Sequence, residues 1–352
     1  MRQLLNKAWL WVWSYLLVWA LVIVASIIKR VRMSHNNGLV GMGRLTLVDN
    51  PAFPAHDFFQ PGREFRCRLR HASVTYPDDA ALQVRAATLK FENSQWESPL
   101  DLEMNTGTTS LFWSARTFLE FFWLQHGKGW VSFVPYYKKY PDGLRAAREG
   151  VRDLPSSFAL MRYHSQTPTL FLARDGVTRY VKYRLIPEDP SQPETGIPSP
   201  ERAATVWDAR PPAGETPNRT YLKDEYAQRV AAGPVVYRLQ LQLHTASAGD
   251  SPEIFNSNKA WDEATHPWME LARVEITQVG TWQEAVLTRS SIHHAPPSLA
   301  SIPANSMDDY NSVNTLRGRS TWVKRVRIFM DTTFGTPPRP SSQRVQGDNP
   351  WY

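Results

Sequence analysis

Arg32-Met33-Ser34-His35-Asn36-Asn37-Gly38, running on through Gly41 to Gly43, is the best candidate for chemistry in the chain. It directly follows an apolar segment and opens a run with strand character. An imidazole and a guanidinium close together in the chain, followed by glycines that let a flat molecule approach the backbone, suit a cofactor pocket. They equally suit a basic linker beside a membrane, and the stretch alone does not decide between the two.

Upstream, Ala8 to Ile28 reads AWLWVWSYLLVWALVIVASII, uncharged and long enough as a helix to cross a hydrocarbon core of about 30 Å. Trp9, Trp11 and Trp13 gather at one end, where indoles favour the interface, and Lys29-Arg30-Val31-Arg32 closes the other. No small-residue cleavage pattern follows, so residues 1–31 are expected to form an uncleaved, single-pass transmembrane anchor. Arg2, Lys7 and the amino terminus nearly balance the basic cluster, which leaves a slight preference for a main domain in the cytoplasm. Asn218-Arg219-Thr220 is a glycosylation sequon that matters only for the opposite topology.

The 352 residues are enough for a sizeable core, and 42% hydrophobic content with 14 Trp and 27 Pro describes a globular protein with many loops. The net charge of +7 is spread among carboxylates, without the basic tract and interleaved aromatics of a nucleic-acid groove, so nucleic acid is not an expected partner. Beside a membrane segment, a basic balance instead points to anionic lipid head groups. Cys67 is the single cysteine, which excludes an internal disulfide and a cysteine-based metal cluster.

Period-two patterns mark strands over Leu39–Val48, Phe65–Val74, Leu82–Phe91, Val235–His244 and Leu271–Thr277, with Thr281–Thr288 a further strand candidate. Thr169–Ala173 and Val177–Ile186 flank Arg174-Asp175-Gly176, where Asp-Gly supplies the positive φ of a tight hairpin turn. Helices are expected over Ser110–Leu124, Leu144–Leu154 and Thr220–Gly233, and a Pro-rich surface loop over Pro187–Asn218. His293-His294 reads as loop histidines, and Asp78-Asp79 and Asp308-Asp309 as turn or capping residues. Many strands separated by loops argue for an α+β protein in which an antiparallel sheet closes into a barrel with helices outside it.

The order of these segments from Arg32 to Arg327 resembles the haem catalase superfamily, and more closely its short members, the catalase-related peroxidases and the coral-type allene oxide synthases. The family's Arg-x-x-His-x-x-Gly with a further glycine is matched by Arg32, His35, Gly38 and Gly43. Its Arg-Phe-Ser-Thr-Val strand resembles Arg70-His71-Ala72-Ser73-Val74, and its Arg-Gly-Phe-Ala-Val-Lys-Phe resembles Arg85-Ala86-Ala87-Thr88-Leu89-Lys90-Phe91. Asp101-Leu102-Glu103-Met104-Asn105-Thr106 is similar to the element that carries the distal asparagine, and Phe118 and Phe121 stand at the offsets of the pocket phenylalanines. Trp268–Val274 and Ala295-Pro296-Pro297 resemble two later segments.

The resemblance implies a catalase-like, eight-stranded antiparallel β-barrel over residues 32–335, a polar C-terminal tail over 336–352, and haem b as cofactor. It implies His35 and Asn105 as the distal catalytic pair, Arg32 and Arg70 on the haem propionates, and Phe118 or Phe121 against the porphyrin. The proximal Arg-x-x-x-Tyr motif is absent: Arg317 is followed four positions later by Thr321 and Arg319 by Val323, and Tyr310 is the nearest phenol offered as an iron ligand. The chain ends soon after the barrel, so peroxidase or hydroperoxide isomerase work is expected over rapid disproportionation of hydrogen peroxide. Seven residues separate Ile28 from His35, which at about 3.5 Å each keeps the pocket within roughly 25 Å of the bilayer and makes lipid hydroperoxides the expected substrates. The alternative is a haemless module of the same fold that binds lipid or a partner protein at the membrane.

Overall fold

A computed structural model describes residues 2–29, 32, 34–125, 130–211 and 216–344. Arg30, Val31 and Met33 of the linker and residues 345–352 of the tail lie outside the described residues. Ten strands form in chain order: β1 (Leu39–Leu47), β2 (Glu64–Ser73), β3 (Gln83–Lys90), β4 (Asp101–Thr106), β5 (Val151–Arg152), β6 (Tyr163–His164), β7 (Thr169–Leu172), β8 (Thr178–Pro187), β9 (Val235–Thr245) and β10 (Met269–Val279). Eight of them close on themselves in the order β1-β2-β3-β4-β6-β8-β9-β10, every pairing antiparallel, with β10 returning to β1. Closure removes the sheet edges, and the two short strands β5 and β7 add to β3 and β8 outside the ring.

Alternation along the strands fills the barrel with one apolar set. Leu45, Leu69, Leu89, Leu102, Leu185 and Leu239 belong to its core. Within this core His71 bonds the Tyr237 hydroxyl at 3.0 Å, and burial pushes its imidazole down to about 3, so it is packed as a neutral group. Gly43 answers a close approach at a bulge in the β1–β10 register, where a Cβ would overlap the Glu275 carbonyl. The hairpin β7–β8 turns on Gly176 at φ 73°, as Asp-Gly requires.

The helices are α1 (Arg2–Leu21, continuing as a π-helix over Val22–Ile28), α2 (Ala115–Trp123), α3 (Trp130–Lys139), α4 (Pro141–Gly150), α5 (Pro200–Ala203), α6 (Tyr221–Ala232), α7 (Trp282–Leu287), α8 (Ser312–Arg319) and α9 (Thr321–Phe334). By length and composition Gln3–Ile28 is apolar enough to cross a membrane. The strand expected over Thr281–Thr288 is instead α7, because Thr281 and Glu284 form a capping box that satisfies the first-turn amides. A second aromatic core joins α2, α3 and α4 to the barrel wall, with Trp207 donating to the Tyr137 hydroxyl at 2.6 Å.

Three of the four paired acidic residues are held in ion pairs, Asp79 with Lys223, Asp78 with Arg344 and Asp308 with Arg116, and Asp309 accepts the Asn305 and Asn311 backbone amides in a turn. Asp101 is fully enclosed and accepts from Lys90 at 3.2 Å and His294 at 2.8 Å. That explains why a lysine ends β3 and an aspartate begins β4. The first residues of the tail lie along the domain, where Trp282 donates to the Pro337 carbonyl and the Arg219 amide to the Ser342 carbonyl.

Candidate functional site

Between the end of α1 and β1 the chain makes a tight turn. His35 and Asn37 adopt φ of 61° and 48°, the left-handed region that costs a side-chain-bearing residue roughly 1 kcal/mol or more. Local hydrogen bonds offset this cost: the Asn36 amide accepts from the Arg32 N–H at 2.8 Å and donates to the Arg32 carbonyl at 3.1 Å. From the barrel side, Arg70 Nη2 donates to the His35 carbonyl at 2.9 Å, and the His35 amide donates to Val74. Gly38 has no side chain because the Arg70 guanidinium occupies the space a Cβ would take.

Strand β4 presents the next groups by its two-residue period. Leu102 and Met104 belong to the barrel core, while Glu103 and Asn105 on the opposite face line a cavity of about 210 Å³ between barrel and helices. His35 lies across from Asn105, Nε2 to Oδ1 at 3.4 Å, and its Nδ1 meets the Ser34 hydroxyl at 2.6 Å. Burial pushes the His35 imidazole down to about 4, against the opposing pull of the Glu103 carboxylate, so the ring is neutral at physiological pH.

One end of the cavity is cationic. Arg32 donates to the Val286 and Thr288 carbonyls at 2.6 Å and Arg70 to the Ala285 carbonyl at 3.0 Å, so both guanidiniums sit at the carbonyl end of α7, where a helix favours cations. Arg327 of α9 joins them and pairs with Asp331. Burial, then the charges of Arg32 and Arg327, hold Arg70 well below its ordinary range, and burial with Arg327 lowers Arg32 to about 10. Three crowded guanidiniums make this end receptive to an anion.

Another part of the lining is aromatic. Helix α2 starts on Ser114, whose side chain caps it reciprocally with Thr117, and this entry aims Phe118 and Phe121 at the cavity. Phe112 meets Phe118 edge-on at 4.5 Å, and Phe133 backs Phe121 at 5.2 Å.

A charged bridge crosses between strand and helices. Glu103 accepts from Arg317 of α8 at 3.0 Å, from Lys324 of α9 at 2.7 Å and from the Ser290 hydroxyl at 2.7 Å. Burial alone would raise this carboxyl, but Lys324 and Arg317 overcome it and hold the group well below the usual carboxylate range.

The sequence expectations fall into two groups. Arg32, His35, Arg70, Asn105, Phe118 and Phe121, far apart in the chain, line one cavity. Tyr310 does not: its hydroxyl donates to Glu253 outside the cavity, and burial with that carboxylate raises the phenol to about 12. Engaged with Glu253 and absent from that lining, the phenol gains no support from the geometry for the expected role of iron ligand. Thr321, four positions after Arg317, bonds the Ser291 hydroxyl at 3.0 Å. Glu103, Lys324, Arg327 and Ser34 were missed. The signals were there in the shared strand face of Glu103 and Asn105, and in the helical spacing of Arg317, Lys324 and Arg327.

The closed eight-stranded barrel with helices against it has the catalase fold, and together with its relatives it places this chain in the catalase superfamily. The chain is 38% identical over 303 residues to an allene oxide synthase-lipoxygenase protein of Plexaura homomalla, a match covering 84% of this chain and 28% of that protein. It is 30% identical over 108 residues to a catalase-related peroxidase of Mycolicibacterium paratuberculosis, covering 31% of this chain and 28% of the peroxidase. Each match thus spans little more than a quarter of the relative's length. Catalase A of Saccharomyces cerevisiae superposes with a TM-score of 0.60 at 14% identity, over 86% of this chain and 60% of that one, which speaks for the fold alone. No family model matches the chain.

Proposed function

We propose that the cavity receives hydroperoxides of long-chain lipids at a membrane surface, with the hydroperoxide group between His35 and Asn105. The observation that carries this reading is the loose 3.4 Å approach of those two side chains at a cavity with a cationic end and a phenylalanine-lined part. A hydroperoxide oxygen can replace that contact: its O–H donates to the neutral imidazole, and the Asn105 amide donates to the second oxygen. The phenylalanines suit an acyl chain and the arginines a carboxylate. The names of the relatives, an allene oxide synthase and a peroxidase, point the same way.

Haem b is the cofactor the superfamily implies, and its fit to this chain is one-sided. Arg32 and Arg70 suit propionates, and Phe118 or Phe121 suit a porphyrin face. A phenolate or thiolate ligand for its iron does not fit: among the described residues that line the cavity there is neither a tyrosine nor a cysteine, and α8 and α9 contribute Val313, Arg317, Ser320, Val323, Lys324 and Arg327. The Glu103 bridge to Arg317 and Lys324 also ties β4 directly to those helices. What the chain itself supplies is a proton acceptor, an amide donor and a cationic end. These same observations favour a second reading, a haemless module that binds an amphiphilic anion such as a fatty acid or its hydroperoxide.

One preparation separates the two. The full chain is expressed with haem precursor, purified in detergent, and examined for a Soret band and for turnover of a fatty-acid hydroperoxide. A Soret band, with turnover that His35→Ala abolishes, supports the enzyme. A haem-free protein that still binds the fatty acid supports the module. Neither turnover nor fatty-acid binding would reject both.

A further inference from the structure

The sequence pattern of α1 describes a helix that stands clear of its domain and crosses the bilayer, yet the structure lays it along the domain. Leu10, Ser14, Val18, Val22 and Ala25 are buried, a spacing that defines one helical face. Val18 and Val22 pack on Val323 of α9, and the Ser26 hydroxyl donates to the Val323 carbonyl at 2.8 Å. At the other end Arg319 donates to the Leu10 carbonyl at 3.4 Å and to the Ser14 hydroxyl, with its guanidinium 5.0 Å from the Tyr15 ring centre.

These contacts run from Leu10 to Ser26. At about 1.5 Å per residue that is roughly 24 Å of helix, most of a hydrocarbon core of about 30 Å. A crossing α1 would therefore carry the α8–α9 junction into the middle of the bilayer, together with Arg319, Arg325 and the cavity wall. Charged side chains at that depth are strongly disfavoured.

The opposite face of α1 tells where lipid lies. Trp9, Trp13, Leu16, Trp19, Ile23 and Ile27 form one exposed stripe, with Trp19 61% exposed. Helix α9, packed beside it, turns Trp322 and Phe329 outward at 54% and 65% exposure. Lys7 and Lys29 are exposed near the two ends of α1, and the exposed Arg325 lies over the Trp322 ring at 5.4 Å, so all three are available to anionic head groups.

We propose that α1 and α9 together form an in-plane seat, embedded in one leaflet of a lipid bilayer without crossing it. The occupant is lipid: the stripe is indole-rich and flanked by cations, and it belongs to a 26-residue helix apolar enough for a membrane, held in plane by the contacts of its other face with α9. Val323, Lys324 and Arg327 of the same α9 line the cavity, so the seat holds the cavity wall against the leaflet. This attachment does not depend on the chemistry proposed for the cavity.

The test uses the full chain in sealed membrane vesicles, with a tag at each terminus and an impermeant protease. Both tags on one side is the expected result, and tags on opposite sides would overturn the proposal. A second arm compares the parent with a Trp322→Lys and Phe329→Lys double variant in flotation with vesicles of phosphatidylglycerol and phosphatidylcholine, thermal melting serving to confirm folding. A severalfold loss of the floated fraction is expected at an unchanged melting temperature. Undiminished flotation would overturn the seat, as would a change in oligomeric state in detergent without loss of flotation, which would give this face to a second copy of the chain.

Discussion

Replacing Glu103 with glutamine removes one charge from a cluster that is built around it. The carboxylate accepts from Arg317 at 3.0 Å, Lys324 at 2.7 Å and Ser290 at 2.7 Å, and its side chain is only 18% exposed. Removing one partner of a buried ion pair leaves the others uncompensated and costs about 3–5 kcal/mol, so with this residual exposure we expect about 3 kcal/mol. At about 2 °C per kcal/mol for a chain of this size, the melting temperature should fall by roughly 6 °C. The partner substitution sharpens the test: Lys324→Met alone should also destabilise, whereas Glu103→Gln with Lys324→Met should cost clearly less than the two singles summed. Thermal melts of the four proteins in one detergent measure the coupling. A Glu103→Gln protein that melts with its parent, or strict additivity in the cycle, would refute the view that this bridge joins β4 to the helices.

Acid should weaken the fold well above the ordinary carboxylate range. His35 is held down to about 4, and His71 and His164 to about 3, chiefly by burial. Each binds its proton more readily when unfolded, so the stability is fully present above about pH 6.5 and is lost as pH falls, by up to about 3 kcal/mol for His35 and about 5 kcal/mol for His71 or His164. Urea midpoints between pH 7 and pH 5 read this loss. His71→Phe should flatten the slope, and equal acid sensitivity in parent and variant would reject His71 as a contributor. Tyr310→Phe should leave any haem absorption band unmoved and cost about 1 kcal/mol through the lost hydrogen bond to Glu253; an altered band would put the phenol back at the metal.

Most of the barrel was legible because its strands have a strict two-residue period and Asp175-Gly176 marks their hairpin. The turn around His35 was legible in part, since Gly38 leaves room for the Arg70 guanidinium that bonds the His35 carbonyl. Helix α7 was misread as a strand because alternation outweighed its Thr281–Glu284 capping box. Helices α8 and α9 gave little apolar periodicity, for their inward faces carry Arg327, paired within α9 to Asp331, and Arg317 and Lys324, whose partners come from distant strands and loops. Tyr310 drew notice as a phenol near the right place in the chain. No local pattern could reveal that Glu253, in a separate loop, holds it. The burial of one face of α1 against α9 was likewise hidden, because both faces of that helix are apolar in sequence.

Ring closure also sets an order of events during synthesis. Strand β1 has partners on both sides, β2 soon after it and β10 only when Met269–Val279 has been made. Until then the barrel is an open sheet, and the turn carrying His35 can gain its Arg70 bond but not the α7 carbonyls that seat Arg70 and Arg32. Pairings so distant in sequence make for slow folding and a prolonged exposure of apolar surface. Helix α1 emerges well before α9, which buries one of its faces. The nascent chain therefore carries a bare apolar helix while the whole barrel is being made, and a membrane met early would shelter that helix until its own domain can.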